Sequence, residues 1–378
     1  MSLRYKPRWR LQEHSNVITC LAFSPHGTYI AAGGVDGKLS IWSYDLGRLL
    51  YVVSGHAGVL SLSWIGPSEQ SLLCGLQDGT VLSVEIDQSL TATGYFAHQY
   101  PVECISISGD TVATGAHKEV HVWEFRERGA NWRRVSKLDL PPSVGSNRSD
   151  EIIVTSLHWA RTKYSPNTLL VSYMHHGIAF WDISSRMILH FISVKTLVAS
   201  TSLSPRHQYL AVSSIHNGFD IYDLNSDAPI MSFNQPTSKG ICIPVLFAHH
   251  GFAVLGGSTE GKARLWAIET GNLIHTLHHS DDDTIQAIAA HYDASGDRFM
   301  IATGSHSPND KHYIQLWHAQ DIYRDNIPAR LMTLLSPPAQ LQDHHNMSWT
   351  HWIAWFIFLF IGFILSWLFV YWKDKTSI

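Results

Sequence analysis

A period of about forty residues, a strand-ending aromatic in six of the seven units it defines, and one uncharged apolar run near the C-terminus predict the fold class. The class is all-β: a seven-bladed β-propeller closed by its N-terminal strand, followed by one C-terminal transmembrane α-helix. The expected organisation is a propeller over 1–318, a polar linker over 319–350, a membrane helix over 351–372 and a short far-side tail over 373–378.

Each unit is anchored on a short strand that ends in a large ring. These strands read LSIW to Trp42, VHVW to Trp123, IAFW to Trp181, FDIY to Tyr222, ARLW to Trp266 and IQLW to Trp317. The remaining unit reads VLSV to Val84 and has lost its aromatic. Tight-turn signals precede several of them: VDG at 35–37, QDG at 77–79, HHG at 175–177, HNG at 216–218 and TEG at 259–261. Asp-Gly and Asn-Gly favour two-residue hairpins because both turn residues must take positive φ.

Two further β-like runs lie upstream of each turn, as in VITCLAF (17–23) and TYIAAGG (28–34), joined by Ser24-Pro25-His26-Gly27. The fifth unit repeats this with VASTSLS and QYLAVSS around Ser204-Pro205. A fourth run follows the ring, as in GRLLYVV (47–53), RMILHF (186–191) and GNLIHTL (271–277). Four short antiparallel strands per unit make one propeller blade. Long spacings mark loops at 126–150, rich in Pro, Gly, Ser and charge, and at 305–312 in the last unit.

The pattern resembles the WD-repeat family over residues 4–318. The best match is His14, Ser24-Pro25-His26-Gly27, Gly33-Gly34, Val35-Asp36-Gly37 and Ile41-Trp42. Units one, two and six match most specifically; the Trp-Asp pair itself stands at Trp181-Asp182, with Tyr222-Asp223 close to it. The resemblance implies a ring whose last blade borrows its outer strand from Arg4–Leu11. Pro7 suits an outer edge, where a missing N–H is tolerated. Arg4, Lys6, Arg8 and Arg10 alternate, which places them on one face, either as a solvated, aggregation-guarding edge or as a basic stripe toward acidic lipid. The resemblance also implies a structural network of His14, Asp36 and Trp42. In unit two it retains His56 and Asp78 but is broken at Val84. His98 and His279 fall at the place of His14, and Trp123, Trp181, Trp266 and Trp317 at that of Trp42.

Composition narrows the function. Net charge is −4 and charged residues make up 15%, which points away from nucleic acid. Cys20, Cys74, Cys104 and Cys242 are scattered through strand-like runs, without a C-x-x-C pair, and read as buried thiols. Histidine is abundant at 24. The densest cluster, His275, His278, His279 and Asp281–Asp283, invites a metal, but His279 falls on a structural position. No nucleophile elbow or phosphate-cradling glycine loop is present, so no catalytic residue, cofactor or metal is assigned. The acceptor patterns at Asn147 and Asn346 are accidental in a cytosolic domain.

The run Trp352–Trp372 holds 21 residues without charge. As a helix it would span roughly 31 Å, matching the ~30 Å hydrocarbon core. Trp349, Trp352 and Trp355 cluster at one end and Tyr371 and Trp372 at the other, as interfacial aromatics do. Gly362 and Ser366 could support helix pairing. Six residues follow the run, which suggests post-translational insertion with the propeller facing the cytosol. Lys373 and Lys375 mildly oppose that orientation, but six residues cross a membrane more readily than a folded propeller.

These readings converge on a non-enzymatic scaffold that binds protein partners through its loops at a cytosolic membrane surface, most consistent with the endoplasmic reticulum or a related endomembrane. The layout is also similar to the endoplasmic reticulum exchange factor for a coat-initiating small GTPase. That family's glycine-rich, potassium-binding loop is replaced here by AAGGVDGKLSIW, an ordinary tight turn.

Overall fold

The computed structural model describes residues 5–320, apart from 88, 126–131, 144–146, 148–149, 216–217, 236–240, 295–297 and 308–311. The chain divides into two units, Met1–Ile322 and Tyr323–Ile378, and the described residues fall in the first. The expected membrane helix, with Trp349, Trp352, Trp355, Gly362, Ser366, Tyr371 and Trp372, lies outside the described residues. Among the described residues, no helix is long and apolar enough to cross a membrane.

The described residues form seven antiparallel sheets of four strands. Blade 1 is β2 (Ile18–Phe23), β3 (Tyr29–Gly34), β4 (Lys38–Ser43) and β5 (Arg48–Ser54). Blade 2 is β6 (Val59–Trp64), β7 (Ser71–Leu76), β8 (Thr80–Ile86) and β9 (Leu90–Phe96). Blade 3 is β10 (Cys104–Ser108), β11 (Thr111–Ala116), β12 (Glu119–Phe125) and β13 (Trp132–Lys137). Blade 4 is β14 (Val154–Ala160), β15 (Thr168–Tyr173), β16 (Gly177–Asp182) and β17 (Met187–Ile192). Blade 5 is β18 (Val198–Leu203), β19 (Tyr209–Ser214), β20 (Gly218–Asp223) and β21 (Pro229–Asn234). Blade 6 is β22 (Val245–Ala248), β23 (Ala253–Gly256), β24 (Lys262–Ala267) and β25 (Leu273–His278).

Blade 7 joins β26 (Thr284–Asp293), β27 (Arg298–His306) and β28 (Tyr313–Gln320) to the N-terminal β1 (Lys6–Leu11), in the order β1-β28-β27-β26. Leu11 lies opposite Ile314 and Lys6 opposite His318, so the two ends of the ring share one sheet. The innermost strands pack in sequence, β2 on β6 through to β22 on β26, and β26 packs back on β2.

Seven apolar clusters hold the ring, one at each junction of successive blades. In the six blades that carry a strand-ending ring, it faces the blade before. Trp42 packs with Ala287, Met300 and Ala302 of blade 7, and Trp266 packs with Phe219 and Phe233 of blade 5. The aromatic period is therefore a packing period: each ring fills one inter-blade wedge.

Three expectations change. The stretch 126–150 is not all loop, because Trp132–Lys137 forms the outer strand of blade 3. Cys242 is exposed in the loop before β22 rather than buried, whereas Cys74 and Cys104 are buried. The basic alternation along β1 is broken, because the register shifts between Pro7 and Trp9 and leaves Arg8 as the extra residue of a bulge. Arg8 then pairs with Asp45 at 3.0 Å and lies over the Tyr44 ring, while Arg10 lies 3.6 Å over the ring of Tyr313. Both cations are engaged within the propeller rather than aligned as a free stripe.

Candidate functional site: histidine networks and the blade rims

The turns and loops of three blades are tied to their cores by one recurring relay. In blade 1, Trp42 Nε1–H donates to Ser40 Oγ at 3.0 Å, and the Ser40 hydroxyl lies 2.9 Å from His14 Nε2. His14 Nδ1 lies 3.1 Å from Asp36 Oδ1, and Asp36 also accepts from the N–H groups of Ser15 and Lys38. A neutral imidazole with its proton on Nδ1 satisfies every member in one direction. Burial works to raise the Asp36 pKa, but the Ser15 N–H and the His14 contact outweigh it, and the carboxyl sits below its ordinary value.

Blade 3 builds the relay from Trp123, Thr114, His98 and Glu119, with distances of 2.8, 2.7 and 3.1 Å along the chain. Blade 7 inserts a phenol. Trp317 donates to Thr303 at 2.8 Å, Thr303 contacts His279 Nε2 at 2.6 Å, His279 Nδ1 contacts the Tyr313 hydroxyl at 3.0 Å, and Tyr313 donates to Asp283 at 3.1 Å.

The hydroxyl of the relay is the member that sequence reading missed. Thr114 and Thr303 lie on the second strands of their blades, whereas Ser40 lies on the third. Register explains the swap: Ala32 of β3 pairs with Ser40 of β4, just as Thr114 pairs with His121 and Thr303 with Gln315. The two cross-strand positions share one face, so a hydroxyl on either can reach the indole and the imidazole. The signal was a Ser or Thr at one of these two sites, two residues before the ring or directly across from it.

The other expected network residues lie elsewhere. His56 and Asp78 of blade 2 are both exposed, and Asp78 accepts the Thr80 N–H of its own turn. Trp181 is buried among apolar residues that include Leu169 and Ala179, and Trp266 is buried against Phe219 and Phe233. Among the described residues, complete relays stand in blades 1, 3 and 7.

The histidine cluster before blade 7 does not converge on a cation. His275 tilts against Tyr5, Asp281 pairs with Lys262 at 3.5 Å, and His279 and Asp283 belong to the relay. A second group, His98, Glu119 and His121, offers three ligand atoms within 4.8 Å. The two imidazoles stack at 4.2 Å with 11° between their planes. Their in-plane lone pairs run in nearly parallel planes rather than toward one point, and Lys137 lies 3.4 Å from Glu119. The trio is built as a structural stack.

Burial holds four imidazoles neutral: His121, His158, His249 and His279 each have a pKa lowered to about 4. The Arg10 guanidinium adds to the burial at His279, and the neighbouring His98 ring adds to it at His121. Unfolded, each returns to about 6.5, so the unfolded chain binds protons first as pH falls. Their stabilisation is complete above about pH 6.5 and is lost toward about pH 4, by up to about 1.4 kcal/mol per pH unit for each imidazole. Urea midpoints measured from pH 7.5 to 4.5 are expected to fall steeply below pH 6.5 with little change in slope against urea. A flat profile across that window would show that these rings are not held neutral.

At the blade rims, the outer strand carries a bulge beside the strand-ending ring wherever that ring is aromatic. The register shifts at Trp42, Trp123, Trp181, Tyr222 and Trp266, and at Pro7/Trp9 opposite Trp317. Blade 2, with Val84 at this position, pairs β8 with β9 without a shift from Ile86–Leu90 to Thr80–Phe96. The added residue on the outer strand accompanies the large ring beneath it, and the small valine stands under an unbroken ladder.

Comparison with known proteins agrees with this architecture. The family described as WD domain, G-beta repeat matches residues 5–43 and 47–82. The first match takes in β1 and three strands of blade 1, and the second β5 and most of three strands of blade 2, so the sequence repeat is offset by one strand from the blade. The chain is 22% identical over 282 residues to Protein tipD of Dictyostelium discoideum, covering 72% of this chain and 43% of that protein. It is 24% identical over 292 residues to U3 snoRNP-associated protein-like EMB2271 of Arabidopsis thaliana, covering 74% and 60%. It is 23% identical over 177 residues to Small ribosomal subunit protein RACK1y of Oryza sativa subsp. japonica, covering 45% and 49%. The chain thus spans about half the length of the curated relatives it matches. The class defined is a seven-bladed β-propeller whose first two repeat units match the WD-repeat family model.

Proposed function

We propose that this propeller is a non-enzymatic scaffold for protein partners, held at a cytosolic membrane surface by residues 351–372. One observation carries the scaffold reading: the histidines and carboxylates of the relays are spent on fixing the loops to the blades. Such a frame displays loops of independent sequence on a rigid ring, the arrangement that suits recognition. The names of the relatives agree, since a small ribosomal subunit protein and a snoRNP-associated protein are named for the assemblies they join. The membrane reading rests on the sequence: 21 uncharged residues with aromatics at both ends, on the endoplasmic reticulum or a related endomembrane. Anchoring would raise the effective concentration of a weak binder without adding a contact.

Fractionation tests the anchor. The intact chain is expected in the carbonate-resistant membrane pellet, and a chain lacking 349–378 in the supernatant. A truncated chain that stays in the pellet, or an intact chain that carbonate releases, removes the anchor from the reading. Proximity labelling from the intact chain tests the scaffold, with a reproducible set of protein neighbours lost on unfolding the propeller as the expected result.

A further inference from the structure

The outer strand of blade 2 differs from the other six rims in a way that bears on association. An exposed strand edge is a template for another strand, and proteins blunt it with charge, proline or a bulge. Every other outer strand here carries a bulge residue: Arg8, Leu50, Val135, Leu189, Ile230 and Ile274 stand at the register shifts. Several add further protection. β1 holds three cations and Pro7, β13 holds three cations, and β21 begins at Pro229. β9, LTATGYF, has neither charge nor proline nor bulge, and it is the edge of its sheet. Thr91, Ala92, Thr93, Gly94 and Phe96 are exposed, and Phe96, at 69%, is the most exposed large apolar side chain among the described residues.

We propose that β9 is a self-association edge, pairing antiparallel with β9 of a second copy about a two-fold axis at Thr93. A two-fold contact requires one surface to complement itself, and this strand does so along its length. With Thr93 facing its own copy, Ala92 meets Gly94, Thr91 meets Tyr95, and Leu90 meets Phe96. The small residues flank the axis, the aromatic and aliphatic side chains close the ends, and no like charges are opposed. The same operation on β1 or β13 would bring together two strands of three cations each. A contact of seven residues per copy is small, so the pairing is concentration-dependent and gains from confinement to a surface. The proposal does not depend on the scaffold reading.

Disulfide trapping tests it on the full chain in mild detergent, with Cys242→Ser removing the exposed native thiol. Across an antiparallel pair, facing Cα atoms lie about 4.5–5.5 Å apart, within disulfide reach. Copies of Thr91 would lie four residues out of register, roughly 13 Å along the strand. Under copper–phenanthroline, Thr93→Cys is expected to form covalent dimer at least about tenfold faster than Thr91→Cys. Thr93→Lys, on an exposed side chain, is expected to weaken self-association in sedimentation about tenfold or more with its unfolding midpoint unchanged. Equal trapping at the two positions, no trapping at either, or a Thr93→Lys chain that associates as wild type overturns the proposal. So does capture of a foreign extended peptide on β9 without a Thr93–Thr93 link.

Discussion

Deleting residues 2–11 is expected to lower the unfolding midpoint of the full chain by roughly 10 °C or more, and adding a peptide of residues 1–14 in trans should restore part of it. The strand removed is the first element of the chain and the outer strand of the last blade. Its loss leaves Tyr313–Gln320 as an open edge and breaks the pairs from Lys6–His318 to Leu11–Ile314. It also removes two side chains that pin opposite sides of blade 7. Leu11, 2% exposed, packs in the cluster shared with blade 1. Tyr5, 5% exposed, packs in the cluster shared with blade 6, where its hydroxyl meets His249.

Two buried side chains contribute ~1.5–3 kcal/mol each, and each strand-pairing hydrogen bond about 1 kcal/mol net. The sum is of the same order as the 5–15 kcal/mol that a typical fold has in total. Leu11→Ala isolates the packing part and is expected to cost ~2–5 kcal/mol. A deletion that left the midpoint within about 2 °C of wild type would mean that the ring does not depend on this strand for closure.

The strand order was legible because it is a local matter. Period-two apolar runs, turn dipeptides and the ring of six units are each fixed by residues within one blade, so the seven units could be counted from the chain alone, while the borrowed strand followed from the family resemblance. What was not legible depends on register across strands or on the neighbouring blade. The Ser40 hydroxyl stands on a different strand from Thr114 and Thr303, and only the pairing Ala32–Ser40 shows that it fills the same place. His56 and Asp78 keep the residue types of a relay, but with Val84 there is no indole to anchor it, and both side chains turn to solvent. Trp132–Lys137 reads as loop because its charges belong to an outer strand, where one face needs no core. The bulges, and hence the one flat rim, are invisible until the ladder is drawn.

Gly261→Ala is expected to destabilise the fold by ~3 kcal/mol, whereas Gly271→Ala, also at positive φ, should cost only ~1 kcal/mol. The two glycines have nearly the same φ, +64° and +70°. They differ in what a methyl group would meet. Nothing lies within 4 Å of a Cβ at Gly271, while a Cβ at Gly261 would be driven into the carbonyl oxygen of Ser280. That carbonyl belongs to the loop His279–Asp283, which is laced to the turn by Gly261 N–H to Asp283 O at 2.6 Å and His279 N–H to Gly261 O at 2.7 Å. The loop also carries the imidazole and the carboxylate of the blade 7 relay. A methyl at 261 must therefore displace the relay or tear the turn from it. The readout that separates this from ordinary backbone strain is His279 itself. Displacing the loop exposes its ring, and its pKa should rise from about 4 toward the ordinary histidine range in Gly261→Ala but not in Gly271→Ala. Equal urea midpoints for the two variants, with an unmoved His279 titration in both, would show that the turn of blade 6 does not hold the loop of blade 7 in place.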